Sequence, residues 1–402
     1  MKILIVTQNF WPENFGINNL CLSLKEHGHE ITILTGKPNY PKGDFYEGYT
    51  FFNKSVDYWN GIKVYRSPVI PRKKGGSLML FLNFFSFALF ASIKIFFLKG
   101  TFDKIFVYAP SPITVAIPAI IGKKIFKAPI YIWVQDLWPA SVSAAGGIKN
   151  KYVLDLIDHL TKYIYSRCKK ILVQSKAFCS YIEKQNVPSD KIIYYPNSAE
   201  DYYKILPPEK RYMSYLPKGG VNLIFAGNIG HSQSFDTLIE AALILKKKSI
   251  NVNWVIIGNG RMKDFYKKKV TALKLNDRFI FLGGFPSEEM PYFFSCADAL
   301  IVSLKKEEIF SLTIPSKIQS YMACGKPIIA SLDGEGARVI SEAKAGFASE
   351  ANNYEALSHN IIDFINMSEN DKHQLGVNAR LYYDKEFDRE VLLDKLERIL
   401  NL

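Results

Sequence analysis

Short apolar runs, each about one strand long, recur along this chain with helix-length segments between them. That alternation confines the fold to a parallel α/β arrangement. In the first half the runs cover residues 2–7, 31–35, 104–108, 130–134, 171–174 and 191–195. In the second half they are Asn222–Ala226, Trp254–Gly258, Phe279–Leu282, Ala299–Ser303 and Pro327–Ser331. They are apolar on both faces, as strands covered by helices on both sides must be. A chain of 402 residues is too long for one core and suits two domains. The best linker is Asp201–Gly220, which carries Pro207-Pro208, Pro217 and Gly219-Gly220. The expected plan is a first domain over 1–200, a linker over 201–220 and a second domain over 221–385. The periodic end of the chain, 386–402, reads as a closing amphipathic helix that packs back toward the first domain.

Charge is divided unequally between the halves. Residues 1–200 hold 25 basic and 13 acidic side chains, whereas residues 201–402 hold 26 and 25. The front half therefore suits an anionic partner. Nucleic acid fits poorly, because the basic excess lies beside an apolar segment and no nucleic-acid motif is present. The five cysteines are scattered with no C-x-x-C pair, which argues against a disulfide scaffold or zinc ribbon and for a reducing compartment. The opening run Ile3–Val6 is too short for a signal-peptide core and reads as a first strand, so a cytoplasmic location is expected.

Gly75–Ile93 is 19 residues without a charge, bounded by Arg72-Lys73-Lys74 and by Lys94. Length makes it a candidate membrane span. Topology opposes that, because the strands at 31–35 and 104–108 flank it and should pair in one sheet. The readings are a buried crossover helix, a helix whose outer face lies in the membrane interface beneath a basic collar, and, against the topology, a true span. The second assigns Arg72, Lys73, Lys74, Phe84 and Phe85 to an anionic membrane surface.

Candidate site residues gather where strands end. Gly16 precedes a helix after the first strand, where backbone N–H groups favour an anion, although simple helix entry explains it as well. Asp136 follows the strand Ile130–Val134 between Trp133 and Trp138, and a carboxylate there has the setting of a general base or of a helix N-cap. In the second half Gly227 and Asn228, Gly258 and Gly260 with Arg261, and Gly283-Gly284 with Phe285 and Pro286 end three successive strands. Together they describe a site edged with small residues for a bulky phosphorylated ligand. Ile314-Pro315-Ser316-Lys317 then opens a helix, placing N–H groups and one ammonium at a pyrophosphate seat, and Gly325 closes it.

The run PSKIQSYMACGKPIIAS resembles the donor-site signature of family-4 retaining glycosyltransferases. The Gly16 loop, GHEITILTGKPNYPKG, VQDLWP, YYPN and AGNIG resemble segments of the same family, in the same order. Within it the chain is most similar to bacterial O-antigen L-fucosamine (WbuB-like) transferases. The resemblance implies the GT-B fold, α/β with two Rossmann-like domains facing each other across a cleft. It implies a UDP-sugar donor held by the C-terminal domain, no essential metal or cofactor, and a polyprenyl-diphosphate-linked glycan as acceptor. Asp136 matches the catalytic-base position, and Lys317 with Arg261 is left to meet the diphosphate. Two glutamates that the family commonly carries fall on Leu312 and Ser320 here, so Ser320 or Gln319 must serve the ribose in part. Asn228 and Gln233 stand where many relatives have Arg and Lys. The expected activity is sugar transfer, with N-acetyl-L-fucosamine as one donor, in O-antigen or capsule assembly at the inner face of the plasma membrane. The rivals are a nucleotide-sugar 2-epimerase and a non-catalytic sugar-binding protein.

Overall fold

A computed structural model describes residues 1–146 and 150–402. The chain forms two compact units, Met1–Pro196 together with Leu393–Leu402, and Asn197–Leu392.

The first unit is built on β1 (Lys2–Val6), β2 (Glu30–Gly36), β3 (Val56–Trp59), β4 (Ile62–Ser67), β5 (Lys104–Ala109), β6 (Ile130–Val134), β7 (Lys170–Val173) and β8 (Ile192–Tyr194). They form one sheet in the order β3-β4-β2-β1-β5-β6-β7-β8. Only β3 runs antiparallel, and it pairs with β4 through a hairpin at Asn60-Gly61. Both turn residues have positive φ, 47° and 75°, as the two-residue turn of a twisted hairpin demands. The sequence reading lacks this hairpin because β3 alternates exposed and half-buried residues instead of forming an apolar run.

Helix α1 (Gly16–Glu26) follows β1, and α2 (Ser77–Lys94) leads from β4 towards β5. Because β2 and β5 both pair in parallel with β1, α2 leaves and rejoins one sheet, the geometry of a crossover and not of a span. Its buried face is Asn83, Ser86, Phe87, Ala88 and Ala91. The opposite face exposes Leu78, Phe81, Phe85, Leu89 and Ile93, a stripe at i, i+3 and i+4 spacing. Among the described residues this is the one helix long and apolar enough to cross a membrane. At the chain end, the helix Arg389–Asn401 contributes its residues from Leu393 onward to the first unit. Leu393, Leu396 and Leu400 are buried there, and the Tyr131 hydroxyl donates to the Leu400 carbonyl at 3.2 Å.

The second unit contains β9 (Val221–Ala226), β10 (Val252–Ile257), β11 (Phe279–Gly283), β12 (Ala299–Ser303), β13 (Ile328–Ser331) and β14 (Gly346–Ser349), ordered β11-β10-β9-β12-β13-β14 and wholly parallel. One core layer gathers Phe293, Tyr321 and Met322, and the other gathers Phe235, Trp254 and Phe364. The four-residue edge strand β14 gave no signal, since Gly-Phe-Ala-Ser is neither continuous nor alternating. Residues 201–220, expected as a linker, lie inside this unit. Tyr212 there is 4% exposed and stacks on Tyr292 at 5.1 Å.

Candidate functional site

In the second unit the carboxyl ends of β9, β10 and β11 open on a cavity of about 530 Å³. Its floor is backbone. Gly227 and Gly258 leave their strands at φ 142° and 139°, a region that L side chains rarely occupy. A Cβ on Gly258 would collide with the Gly227 carbonyl, and one on Gly227 would stand 2.6 Å from Lys317 Cε. Glycine at both positions lets the strand ends approach each other and Lys317 at once. The Gly258 N–H donates to the Gly283 carbonyl at 2.7 Å, which links the β10 and β11 ends.

The opposite wall is the helix Ser316–Ala323, entered at Pro315. No side chain caps it, and although the Ile318 N–H donates to the Pro315 carbonyl at 2.9 Å, the Ser316 and Lys317 N–H groups remain for a ligand. Tyr321 fastens it to the sheet, accepting from the Ala226 N–H at 3.2 Å. Lys317 is half-buried. Its ammonium lies 4.1 Å from the centre of the Phe225 ring and donates to Gln233 Oε1. Burial pushes its pKa down to about 7. No carboxylate among the described residues lining the cavity balances the ammonium, so an anion is the natural counter-charge. Gln233 is the partner that aims Lys317.

Of the donor-site candidates named from the sequence, Gly227, Asn228, Gly258, Phe285, Ser316, Lys317 and Ser320 line the cavity. Gly260, Arg261, Pro286, Ile314, Pro315 and Gln319 do not. Gly260 packs against the Ile229 backbone, where a Cβ would clash. Arg261 and Pro286 are exposed, and Pro315 sits at the helix entry. Ile314 belongs to the core. Gln319 is 1% exposed and donates to the Asn197 carbonyl at 2.7 Å, so it braces the unit and leaves only Ser320 facing the cavity. Ser320 Oγ donates to the Ser316 carbonyl at 3.1 Å. Tyr203, Asn259, Ser287, Met290, Phe294 and Tyr321 also line the cavity and were missed. Tyr203 comes from the stretch taken for a linker and stacks on Phe294 at 6.1 Å. The aromatic pair Tyr202-Tyr203 was the available signal, because a solvated linker has no need of it.

Gly16 and Asp136 belong to the first unit. Gly16 is the first residue of α1 and would have nothing within 4 Å of an added Cβ. Asp136 follows β6, half-buried between the buried Leu137 and the end of the strand. It makes no hydrogen bond to the described residues, and burial raises its pKa to about 6, the range of a general base that works near neutrality. The Trp133 indole is fixed from elsewhere, its Nε1 donating to the Tyr195 carbonyl at 3.0 Å, while the Trp138 backbone carbonyl accepts from Gln185 at 3.1 Å.

A second carboxylate at this sheet edge was missed. Glu13 is 1% exposed and accepts the N–H groups of Asn39 and Tyr40, both at 2.7 Å, and of Phe10 at 3.2 Å. Burial raises its pKa to about 7, against the pull of those bonds and of Arg72. Glu13 therefore ties together the loops after β1 and β2. The basic collar is also less uniform than expected. Lys73 and Lys74 are exposed, and Lys73 pairs with Asp44. Arg72 is half-buried, its guanidinium 4.9 Å from the Tyr40 ring and 5.7 Å from the Phe84 ring. Phe84 is thus a packing residue, and Phe85 alone of that pair faces solvent, 55% exposed.

Among the described residues, His27, Asp394 and Glu397 form the one group of metal-ligating side chains with donor atoms within 4.8 Å of one another, on the first unit. No such group lines the cavity of the second unit.

Residues 209–382 match the Glycosyl transferases group 1 family. Over 268 residues, 65% of either chain, this protein is 27% identical to a probable glycosyltransferase, WbjE, of Pseudomonas aeruginosa. Over 345 residues, 81% of this chain and 82% of the other, it is 22% identical to the putative colanic acid biosynthesis glycosyl transferase WcaI of Escherichia coli strain K12. It therefore spans just under two thirds of the first relative and about four fifths of the second. The fold matches that of Anabaena Alr3699/HepE in complex with UDP over the whole of both chains, with a TM-score of 0.72 at 14% identity. It matches a sucrose-phosphate synthase of Thermosynechococcus elongatus over 100% of this chain and 98% of the other, with a TM-score of 0.73 at 16% identity. Two α/β units with Rossmann-like sheets give this chain the GT-B fold of those structures, and the second unit carries the residues that match the group 1 family.

Proposed function

We propose that this enzyme moves a sugar from a UDP-sugar to a polyprenyl-diphosphate-linked glycan, with retention at the anomeric carbon, during assembly of a bacterial surface polysaccharide. The observation that carries the donor half is Lys317: an ammonium held in a glycine-floored cavity without a carboxylate, at an uncapped helix start. About 530 Å³ falls within the roughly 300–1,000 Å³ of small-molecule sites. A protein of the same fold is known in complex with UDP, which supports that nucleotide here. In this reading Lys317 and the first-turn N–H groups stabilise the charge that develops on the departing diphosphate. Ser320 and the backbone near Gly258 meet the nucleoside.

Asp136 is the proposed base toward the acceptor hydroxyl, since its raised pKa and the absence of a hydrogen bond to the described residues leave it able to take a proton near pH 7. N-acetyl-L-fucosamine is the proposed donor sugar, on the resemblance of the motifs, and relatives named for colanic acid biosynthesis support the surface-polysaccharide setting. The exposed stripe of α2 beside Lys73 and Lys74 is the proposed contact with an anionic membrane.

Calorimetry with UDP, followed by an assay of UDP release from UDP-sugars with and without a polyprenyl-diphosphate-linked acceptor, tests the reading. Release that depends on the acceptor supports transfer. Release without the acceptor points to an epimerase or hydrolase, and absence of UDP binding refutes the donor assignment.

A further inference from the structure

We propose that the first unit carries an anion pocket beside α2 that takes the phosphate of a phosphate-bearing lipid, with the lipid chain lying along the exposed apolar stripe. It rests on the membrane-facing reading of α2. The pocket has a volume of about 260 Å³, and three cations line it: Lys37 just beyond β2, Arg66 in β4 and Lys94 at the end of α2. Lys37 is 1% exposed and Arg66 fully buried.

Few partners offset these charges. The Lys37 ammonium donates to the Lys54 carbonyl at 2.9 Å. Arg66 places Nε 3.2 Å from Asp57 Oδ2 and donates through Nη2 to the Trp11 carbonyl at 2.8 Å, while its buried Nη1 has no hydrogen-bond partner. Asp57 is one carboxylate against three cations, and it also accepts the Tyr49 hydroxyl at 2.8 Å. Burial, then the positive charges of Arg66 and Lys94, hold the Lys37 pKa down to about 8. A buried cation without a counter-charge is costly, so an anion entering here relieves repulsion as well as gaining charge-assisted hydrogen bonds.

The rim selects the kind of anion. Phe52, Ile93 and Phe97 line the pocket and are 87%, 50% and 68% exposed, and Phe96 beside them is 65% exposed. Inorganic phosphate or a sugar phosphate has no use for such a rim. A phosphate on a long hydrocarbon chain uses both parts, with the head among Lys37, Arg66 and Lys94 and the chain on the aromatic surface.

The test titrates the full chain by calorimetry with farnesyl monophosphate below its aggregation limit, and separately with inorganic phosphate and with farnesol. We expect one-to-one binding of farnesyl monophosphate, inorganic phosphate at least about tenfold weaker, and no saturation by farnesol. Lys37→Met and Lys94→Gln should each weaken farnesyl monophosphate about tenfold or more, with the melting temperature and UDP affinity unchanged. Equal affinity for inorganic phosphate overturns the lipid assignment, and equal affinity for farnesol removes the cations from it. If Lys37→Met lowers the melting temperature and leaves binding intact, Lys37 is a structural donor to Lys54 and the pocket is refuted. Wild-type protein that binds farnesyl monophosphate but not phosphatidylglycerol vesicles overturns the membrane reading alone. Protein that binds those vesicles but not farnesyl monophosphate overturns the pocket alone.

Discussion

The two units share a parallel sheet with functional side chains at the strand ends, yet they equip that edge in opposite ways. In the second unit the edge is stripped to backbone: glycines at positive φ, one enclosed ammonium and no carboxylate on the cavity wall. In the first unit the edge is filled. Glu13 binds three backbone N–H groups, and Gln8, Asn39 and Asn83 form a buried amide chain, with Gln8 donating to Asn83 at 2.7 Å. Asp136 makes no hydrogen bond to the described residues, and burial raises its pKa to about 6. A diphosphate is the same in every nucleotide sugar, so N–H groups and one cation are enough to hold it. An acceptor hydroxyl needs a base with a tuned pKa, and that requires a walled, partly dry carboxylate.

The largest expected effect breaks the first unit's half of this comparison. Asp136→Asn should lower kcat by ~10²–10⁴ while calorimetric UDP affinity stays within about twofold. Activity within about threefold of wild type removes Asp136 from the mechanism. With Asp136 intact, kcat/KM should rise with pH through about 6 as the carboxyl ionises, and the Asn variant should lack that limb.

The stripe on α2 is the next contrast, between adjacent residues. Phe85→Asp should abolish cosedimentation with anionic vesicles and leave the melting temperature unchanged, because Phe85 is 55% exposed. Phe84→Asp should lower the melting temperature, because it removes the half-buried ring that packs against the Arg72 guanidinium. The same outcome for both variants would mean that the two faces of α2 are not distinct.

Lys317→Ala tests the other unit. A charge-assisted hydrogen bond is worth roughly 1.5–3 kcal/mol, so UDP should bind about ten- to a hundredfold more weakly and turnover should slow with it. Unchanged UDP affinity would make Lys317 a helix-start lysine with no role at the phosphate. Because burial holds the free ammonium near 7, a bound diphosphate should restore its proton. UDP binding at pH 8 should then take up a proton in wild type, visible as a dependence of calorimetric heat on buffer ionisation enthalpy, and should not in Lys317→Ala.

How much of this was legible in the chain follows the same contrast. The second unit's site is written in contiguous stretches, AGNIG and PSKIQSYMACG, because backbone and glycine make it and one strand end supplies several groups. Its misreadings are local ones. Gln319 and Ser320 are adjacent, and only helix phase decides that Gln319 turns into the core while Ser320 faces the cavity. Tyr203 was hidden by the prolines that follow it. In the first unit, the sheet itself was readable from its apolar runs, but Glu13 acquires its setting from Asn39 and Tyr40, more than 25 residues away. The pocket at Lys37 and Arg66 exists only because β2 and β4 are neighbours, and β4 gave no continuous apolar run to announce itself.

The last predicted effects come from the protons on Glu13 and Lys317, one in each unit, and they should have opposite signs. Glu13 has a folded pKa of about 7 against 4.5 unfolded, so between those values the native chain holds a proton that the unfolded chain has released. Stability contributed by Glu13 is therefore present below about 4.5 and is lost as pH rises toward 7. Lys317 has a folded pKa of about 7 against 10.5. There the unfolded chain keeps the proton that the native chain sheds, and stability rises with pH across that window. Each slope is bounded by one proton, about 1.4 kcal/mol per pH unit. Urea unfolding at pH 5, 7 and 9 should show Glu13→Gln flattening the fall between pH 5 and 7, and Lys317→Met flattening the rise between pH 7 and 9. Glutamine keeps an oxygen for the Asn39 and Tyr40 N–H groups, so the first variant tests the proton and not the loop contacts. A Glu13→Gln profile parallel to wild type below pH 7 would mean that its three N–H donors outweigh burial and hold the carboxylate ionised. The filled edge of the first unit would then owe its proton chemistry to Asp136 alone.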